Sequence, residues 1–173
     1  MIIHDPRNGQ TAFVDEDGRL SVLADMRPNI ARAALEGEAV VFHSTYSATA
    51  ADEVLGFQNN DTKRFFVESI FLGTDTAGSL TVAVSTGTLA GTPLIALSLN
   101  RDAAIANLYS AFGNAAVTGL TPGAALGQVF LPASGSGGIG FASSLILGTG
   151  DQICVTTNVT AILSCSLYGY WSE

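Results

Sequence analysis

Residues 64–86 read RFFVESIFLGTDTAGSLTVAVST, and the grammar of the whole chain is already in them. By strict alternation Phe65, Val67, Ser69 and Phe71 fall on one face of an extended strand, and Phe66, Glu68, Ile70 and Leu72 on the other. Gly73, Thr74, Asp75, Thr76, Ala77 and Gly78 then form a cluster of turn residues. Leu80, Val82 and Val84 follow at period two, with Thr81, Ala83 and Ser85 between them. Two β-branched and aromatic runs separated by such punctuation predict two strands joined as a hairpin.

The same pattern recurs from Glu38 onward. It predicts strands at 39–46, 53–58, 64–72, 79–86, 93–99, 126–131, 139–147, 152–157 and 161–170. Turn signals lie at Asn59-Asn60-Asp61, Gly87 to Gly91 and Gly148-Thr149-Gly150-Asp151. The segment 100–125 is less regular, and Ala103 to Phe112 reads as a helical turn or a long loop crossing the top of the body. Residues 134–138, SGSGG, read as a flexible loop. Many short strands with frequent turns predict an all-β protein, an antiparallel β-sandwich or jelly roll, over residues 38–173.

Ahead of the body, residues 1–37 read as an N-terminal arm with a short connector helix. Thr11 to Val14 and Arg19 to Leu23 are extended pieces on either side of the Asp15-Glu16-Asp17-Gly18 turn. The arm has too little apolar content to fold alone and needs another surface to lie on. Pro28 to Glu36 suits a helix, with Pro28 in its first turn, Gly37 past its end and Arg32 and Glu36 one turn apart.

Charge is scarce. Charged residues make up 13% of the 173 positions, against about 25% in ordinary globular proteins. From residue 76 onward the only charged side chains are Arg101, Asp102, Asp151 and Glu173. Either Ser, Thr, Asn and Gly coat this half, or other copies of the chain cover it. The net charge of −8 disfavours nucleic acid and anionic membranes as partners. No apolar run reaches the ~18 residues of a transmembrane helix, and MIIHDPRNGQ lacks the basic-then-apolar order of a secretory signal. The expectation is synthesis in a cytoplasm, with the product staying there or joining an assembly there. Cys154 and Cys165 have no metal-site spacing and are expected to be free thiols. If ICVTT and ILSCSL pair as a hairpin around Asn158 to Thr160, then Ile153, Val155, Leu163, Cys165 and Leu167 share the inner face and Cys154 points away.

Each candidate for chemistry has a simpler reading. Gly135 to Gly140 matches G-x-G-x-x-G, but the strand-like FASSLIL follows where a helix is required, so a plain loop is favoured. Asp15-Glu16-Asp17-Gly18 lacks the remaining calcium ligands and the distal Glu of an EF-hand. His4 and His43 are the only histidines, and no G-x-S-x-G elbow accompanies them; His43 reads as a paired strand residue. Asp52/Glu53 and Glu36/Glu38 are carboxylate pairs, with solvated turn and helix-end positions as their default. Tyr168, Tyr170 and Trp171 read as packing aromatics, the two tyrosines on one face and the tryptophan on the other. No catalytic, cofactor-binding or metal residues are assigned, and the chain does not read as an enzyme.

Several segments carry a resemblance: VDEDGRLSVLA, ARAALEGEAVVFHSTY, GFQNN, FFVESIFLGTDTAGSLTVAVSTGTLAGTP, LSLN, AFGNAAVTG and LILGTGDQICVTTNVT. Together they resemble small virion structural proteins of tailed bacteriophages, in the group that includes capsid decoration (cement) proteins. The resemblance implies a β-sandwich or jelly-roll body, a homotrimer on the outer capsid surface, and the major capsid protein as partner. Its implied mechanism is mechanical, with many small contacts across shell subunits opposing the pressure of packaged DNA. The arm is then the shell contact, through Phe13, Val14, Arg19, Leu20 and Val22. Two other readings compete. One is a tail-fibre or head-fibre module binding a receptor or carbohydrate, with loops near Gly135 and 100–125 as the cleft and Tyr and Trp as platforms. The other is a sugar hydrolase using a carboxylate pair.

Overall fold

A computed structural model of the chain describes residues 2–4, 11–14, 20–23, 33–34, 38–49, 52–100 and 104–172. The chain is all-β, with two five-stranded antiparallel sheets. Strands β4 (Ala39–Ala48), β5 (Glu53–Asn59), β6 (Arg64–Thr74) and β7 (Gly78–Ala90) come first in the body. They are followed by β8 (Leu97–Ser98), β9 (Tyr109–Phe112), β10 (Thr118–Leu131), β11 (Gly135–Leu147), β12 (Gln152–Thr157) and β13 (Ala161–Ser172). Sheet I has the order β10-β7-β12-β5-β9 and sheet II the order β11-β6-β13-β4-β8. Ahead of them β1 (Ile2–His4), β2 (Thr11–Val14) and β3 (Leu20–Leu23) form a three-stranded antiparallel sheet of their own.

Consecutive long strands change sheet at every step but one, the pair β7 and β10 within sheet I, and this corrects the hairpin expectation for residues 64–86. β6 lies in sheet II between β11 and β13, while β7 lies in sheet I between β10 and β12. Asp75 to Thr76 is therefore part of an arch from one sheet to the other. The same holds for ICVTT and ILSCSL, which become β12 and β13 in different sheets. Ile153, Val155, Leu163, Cys165 and Leu167 do share the interior, and Cys154 does lie off it, because two opposed sheets bury the same residues as a folded hairpin. Alternation reports which face is buried, not which strand is the neighbour.

The core lies between the sheets. Phe42, Phe57 and Phe65 pack with ring centroids 4.5–6.4 Å apart, and Trp171 sits 4.7 Å from Phe65. Leu55, Ile70, Leu80, Val82, Ile153, Leu163 and Leu167 fill the space around them. Asn59 ends β5 inside this packing. Its amide donates to the carbonyls of Lys63 and Leu147, and its oxygen accepts from Trp171 Nε1 and Asp61 N. Every polar atom of that buried side chain is thereby used.

Strict alternation fails within β6. Ser69 pairs with Tyr168 but Val67 pairs with Gly169, so Glu68 is an extra residue, a β-bulge. Phe65 and Val67 point inward before the bulge, and Ile70 and Leu72 point inward after it. Phe71, expected on the face of Phe65, is instead 55% exposed. On the other side of β6 the register also shifts, between Gly140 and Leu145 of β11.

Four further expectations change. Residues 93–99 give only the two-residue β8 and a bridge from Pro93 to Phe112. Ala103 to Phe112 ends in strand β9 at the edge of sheet I, with 103 outside the described residues. Strand 126–131 begins earlier, at Thr118. SGSGG is not a loop from 135 on: Gly135 to Gly138 pair with Thr74 to Phe71 as the start of β11. The expected helix lies mostly outside the described residues, of which Ala33 and Ala34 are helical.

The far ends of β7 and β10 fold back over the outer face of sheet I. Gly87 (φ 108°) and Gly119 (φ 77°) both take the left-handed region that glycine favours. Each lies so close to the opposite strand that a Cβ would collide with its backbone carbonyl. Leu89 and Val117 from this flap are buried, and both lie against Gly56. Val117 N bonds Glu53 O at 2.8 Å, and Gln152 Nε2 bonds Gly87 O at 2.7 Å. The flap explains why Cys154, on the outer side of sheet I, is still fully buried.

Candidate functional site

The polar groups singled out by sequence are structural in their surroundings. His43 stands on the outer face of sheet II, with Nδ1 2.8 Å from Ser166 Oγ and Nε2 3.1 Å from Thr45 Oγ1. Both ring nitrogens are thus occupied by hydroxyls, the paired strand histidine that alternation suggested. Asp52 accepts a 3.0 Å bond from the Tyr46 hydroxyl, and burial with this partner raises the Tyr46 pKa. Glu38 pairs with Lys63 at 2.7 Å. Glu36, Arg19 and the 15–18 turn lie outside the described residues, and of His4 only its place in β1 is described. Phe13 and Val14 lie on β2, Leu20 and Val22 on β3, in the registers Phe13↔Ser21, Val14↔Leu20 and Ala12↔Val22.

Among the described residues no group of three or more His, Cys, Asp or Glu is placed to hold a metal. Among them also, no helix is long and apolar enough to cross a membrane. Both cysteines are free and buried. Burial pushes the Cys154 thiol up to about 11 and the Cys165 thiol up to about 12. Neither is a nucleophile at neutral pH, because the thiolate carries the reactivity. Trp171 and Tyr170 are buried, Trp171 in the core and Tyr170 stacked on Phe66 at 5.1 Å, so they pack rather than offer platforms.

What remains exposed and distinctive is the side formed by β10 and β11. They are the adjoining edge strands of the two sheets, joined by the turn at Pro132 to Ser134. Residues 103–150, which contain both, carry no charged side chain. Of β10 only Leu131 is buried. Leu126, Phe130 and Ile146 are exposed there, Phe130 at 77%. Such edges are usually guarded by charge, above all lysine. Here the guards are Pro122, which lacks an N–H, and register shifts along β10 between Thr118 and Leu120, Pro122 and Ala125, and Ala125 and Gly127. These block an endless ladder of added strands while leaving the apolar side chains available.

The charge desert was legible in the sequence; that it takes in two adjoining edge strands was not. That required knowing that β10 and β11 occupy neighbouring edges. No protein-family model, curated protein sequence or solved structure matches this chain.

Proposed function

We propose that this chain is a non-catalytic structural protein of a tailed-phage virion. As a homotrimer it binds the outer surface of the capsid through the major capsid protein and reinforces the shell. Its body, on this reading, is a jelly roll: four long strands in each sheet are supplied by a chain that crosses between the sheets at every step except from β7 to β10, and short β8 and β9 are added at the far edges. The observation that carries the proposal is the uncharged β10–β11 side. On a chain of net charge −8, copies approaching by this side bring no like charges together. Burying Leu126 and Phe130 also removes apolar surface from water. The arm makes the contact along the shell, β3 by strand pairing at its free edge and Phe13, Val14, Arg19, Leu20 and Val22 through their side chains.

Two measurements test this reading. Native mass spectrometry and light scattering are expected to give a trimer, and co-sedimentation with purified shells a fixed stoichiometric complex. Deleting residues 1–24 is expected to leave the trimer and abolish shell binding. A monomer in dilute buffer that ignores shells overturns the proposal, and undiminished shell binding by the truncated chain removes the arm from it. The competing fibre-module reading draws support from one place, the outer face of sheet II around Phe71.

A further inference from the structure

The bulge at Glu68 turns Phe71 outward into an unusual setting. Two rows of paired residues cross sheet II there. One runs Ser136, Gly73, Ser164, Thr45 from β11 to β4, and the next runs Gly138, Phe71, Ser166, His43. Phe71 is the single large apolar side chain in this grid, and no carboxylate, lysine or arginine stands in it. A groove of about 340 Å³ lies along these rows, lined by Phe71, Ser136, Gly137, Gly138, Ser164 and Ser166 among others.

The ring is held in place and kept clear. Tyr168 meets it edge-on, 5.6 Å between centroids at 87°. A Cβ at Gly138 would press to 3.1 Å from the ring, so glycine there leaves its flank open. At Gly73 a Cβ would strike the Ser164 hydroxyl, so glycine also lets that hydroxyl lean into the groove. Hydroxyls can donate and accept, and they surround one exposed aromatic plane.

We infer that this groove is a binding site for a neutral carbohydrate, with a pyranose ring stacked on Phe71 and its hydroxyls bonded to Ser136, Ser164 and Ser166. A sugar presents an apolar C–H face and a rim of hydroxyls, which matches one aromatic set in a serine and glycine field. A second copy of the chain fits less well, since the core of a protein interface is built from several apolar anchors. The uncharged groove and the chain's net charge of −8 favour neutral over acidic sugars. The braced ring and the strand-borne serines reduce the ordering needed on binding.

The test uses the full-length protein against an array of neutral and acidic oligosaccharides, with hits quantified by titration. Binding to at least one neutral class is expected, weakened roughly tenfold or more by Phe71→Ala and retained by Phe71→Trp. Melting temperature and native mass should be unchanged in both, because the side chain is half-exposed and contributes little to the core. Absence of neutral-sugar binding, preference for acidic sugars, or indifference to Phe71→Ala overturns the inference. So does a fall in native mass with Phe71→Ala, which gives the face to a second copy. Shell co-sedimentation and the wild-type mass are separate readouts, so failure here leaves the structural role standing, and the reverse.

Discussion

β12 and β10 belong to the same sheet, one strand apart, and could hardly differ more. Five of the six residues of β12 are buried, whereas thirteen of the fourteen in β10 are not. β12 is flanked on both edges and covered on both faces, by the core within and the flap without. β10 has one neighbour in its sheet, β7. Both strands are rich in small and apolar residues, so composition does not separate them; position does. Burial on both faces makes the middle of the sandwich the source of stability, and the bare edge becomes the surface available for association.

The sharpest way to break that contrast is Trp171→Ala. It removes the largest core side chain and the indole donor to Asn59, and should cost about 3–5 kcal/mol in denaturant unfolding. A loss under ~1 kcal/mol would mean the middle is not the stabilising region. Asn59→Ala comes next, at about 2–3 kcal/mol, because the partners of a fully used buried amide lose their bonds together.

Acid provides a smaller, directional effect. Backbone N–H groups of Lys63 and Leu108 hold the Asp61 carboxyl below its usual range. A lowered pKa contributes stability at pH values above the ordinary carboxylate range, and that contribution is lost as pH falls through the lowered value. Asp61→Asn should therefore lower stability at neutral and alkaline pH by a constant amount, flatten part of the acid limb of the stability–pH curve, and converge with the parent chain in strong acid. Asp61 is at the surface, so the effect is modest.

Phe130→Asp is expected to move stability least, within about 0.5 kcal/mol for the body, while lowering the native mass toward a monomer by placing like charges across the proposed interface. An intact oligomer carrying this change would separate the exposed edge from association. The two cysteines refine the picture within the buried region. Thiol-specific reagents should label neither in the native state and both in denaturant. Cys154 should react first under partial destabilisation, since only the flap covers it, whereas Cys165 lies between the sheets.

Much of this architecture is local and was readable from residues alone. Period-two alternation located β4, β5, β6, β12 and β13 nearly to their ends, and the loss of charge after residue 76 announced an unusual surface. The arm's extended pieces at Thr11–Val14 and Leu20–Leu23 were legible in the same way. These follow because apolar spacing and turn chemistry act over a few residues.

What the tertiary structure decided is everything that depends on a distant partner. Alternation could not say that β6 pairs with β13 and β11 rather than with β7. Nor could it show that one extra residue at Glu68 reverses the faces beyond it and brings Phe71 to the surface. Gly135 to Gly138 look like loop residues and become strand because Phe71 to Thr74 offer them a ladder. Pairing and bulges are settled by backbone hydrogen bonds between segments far apart in sequence, and those bonds leave no local spacing behind.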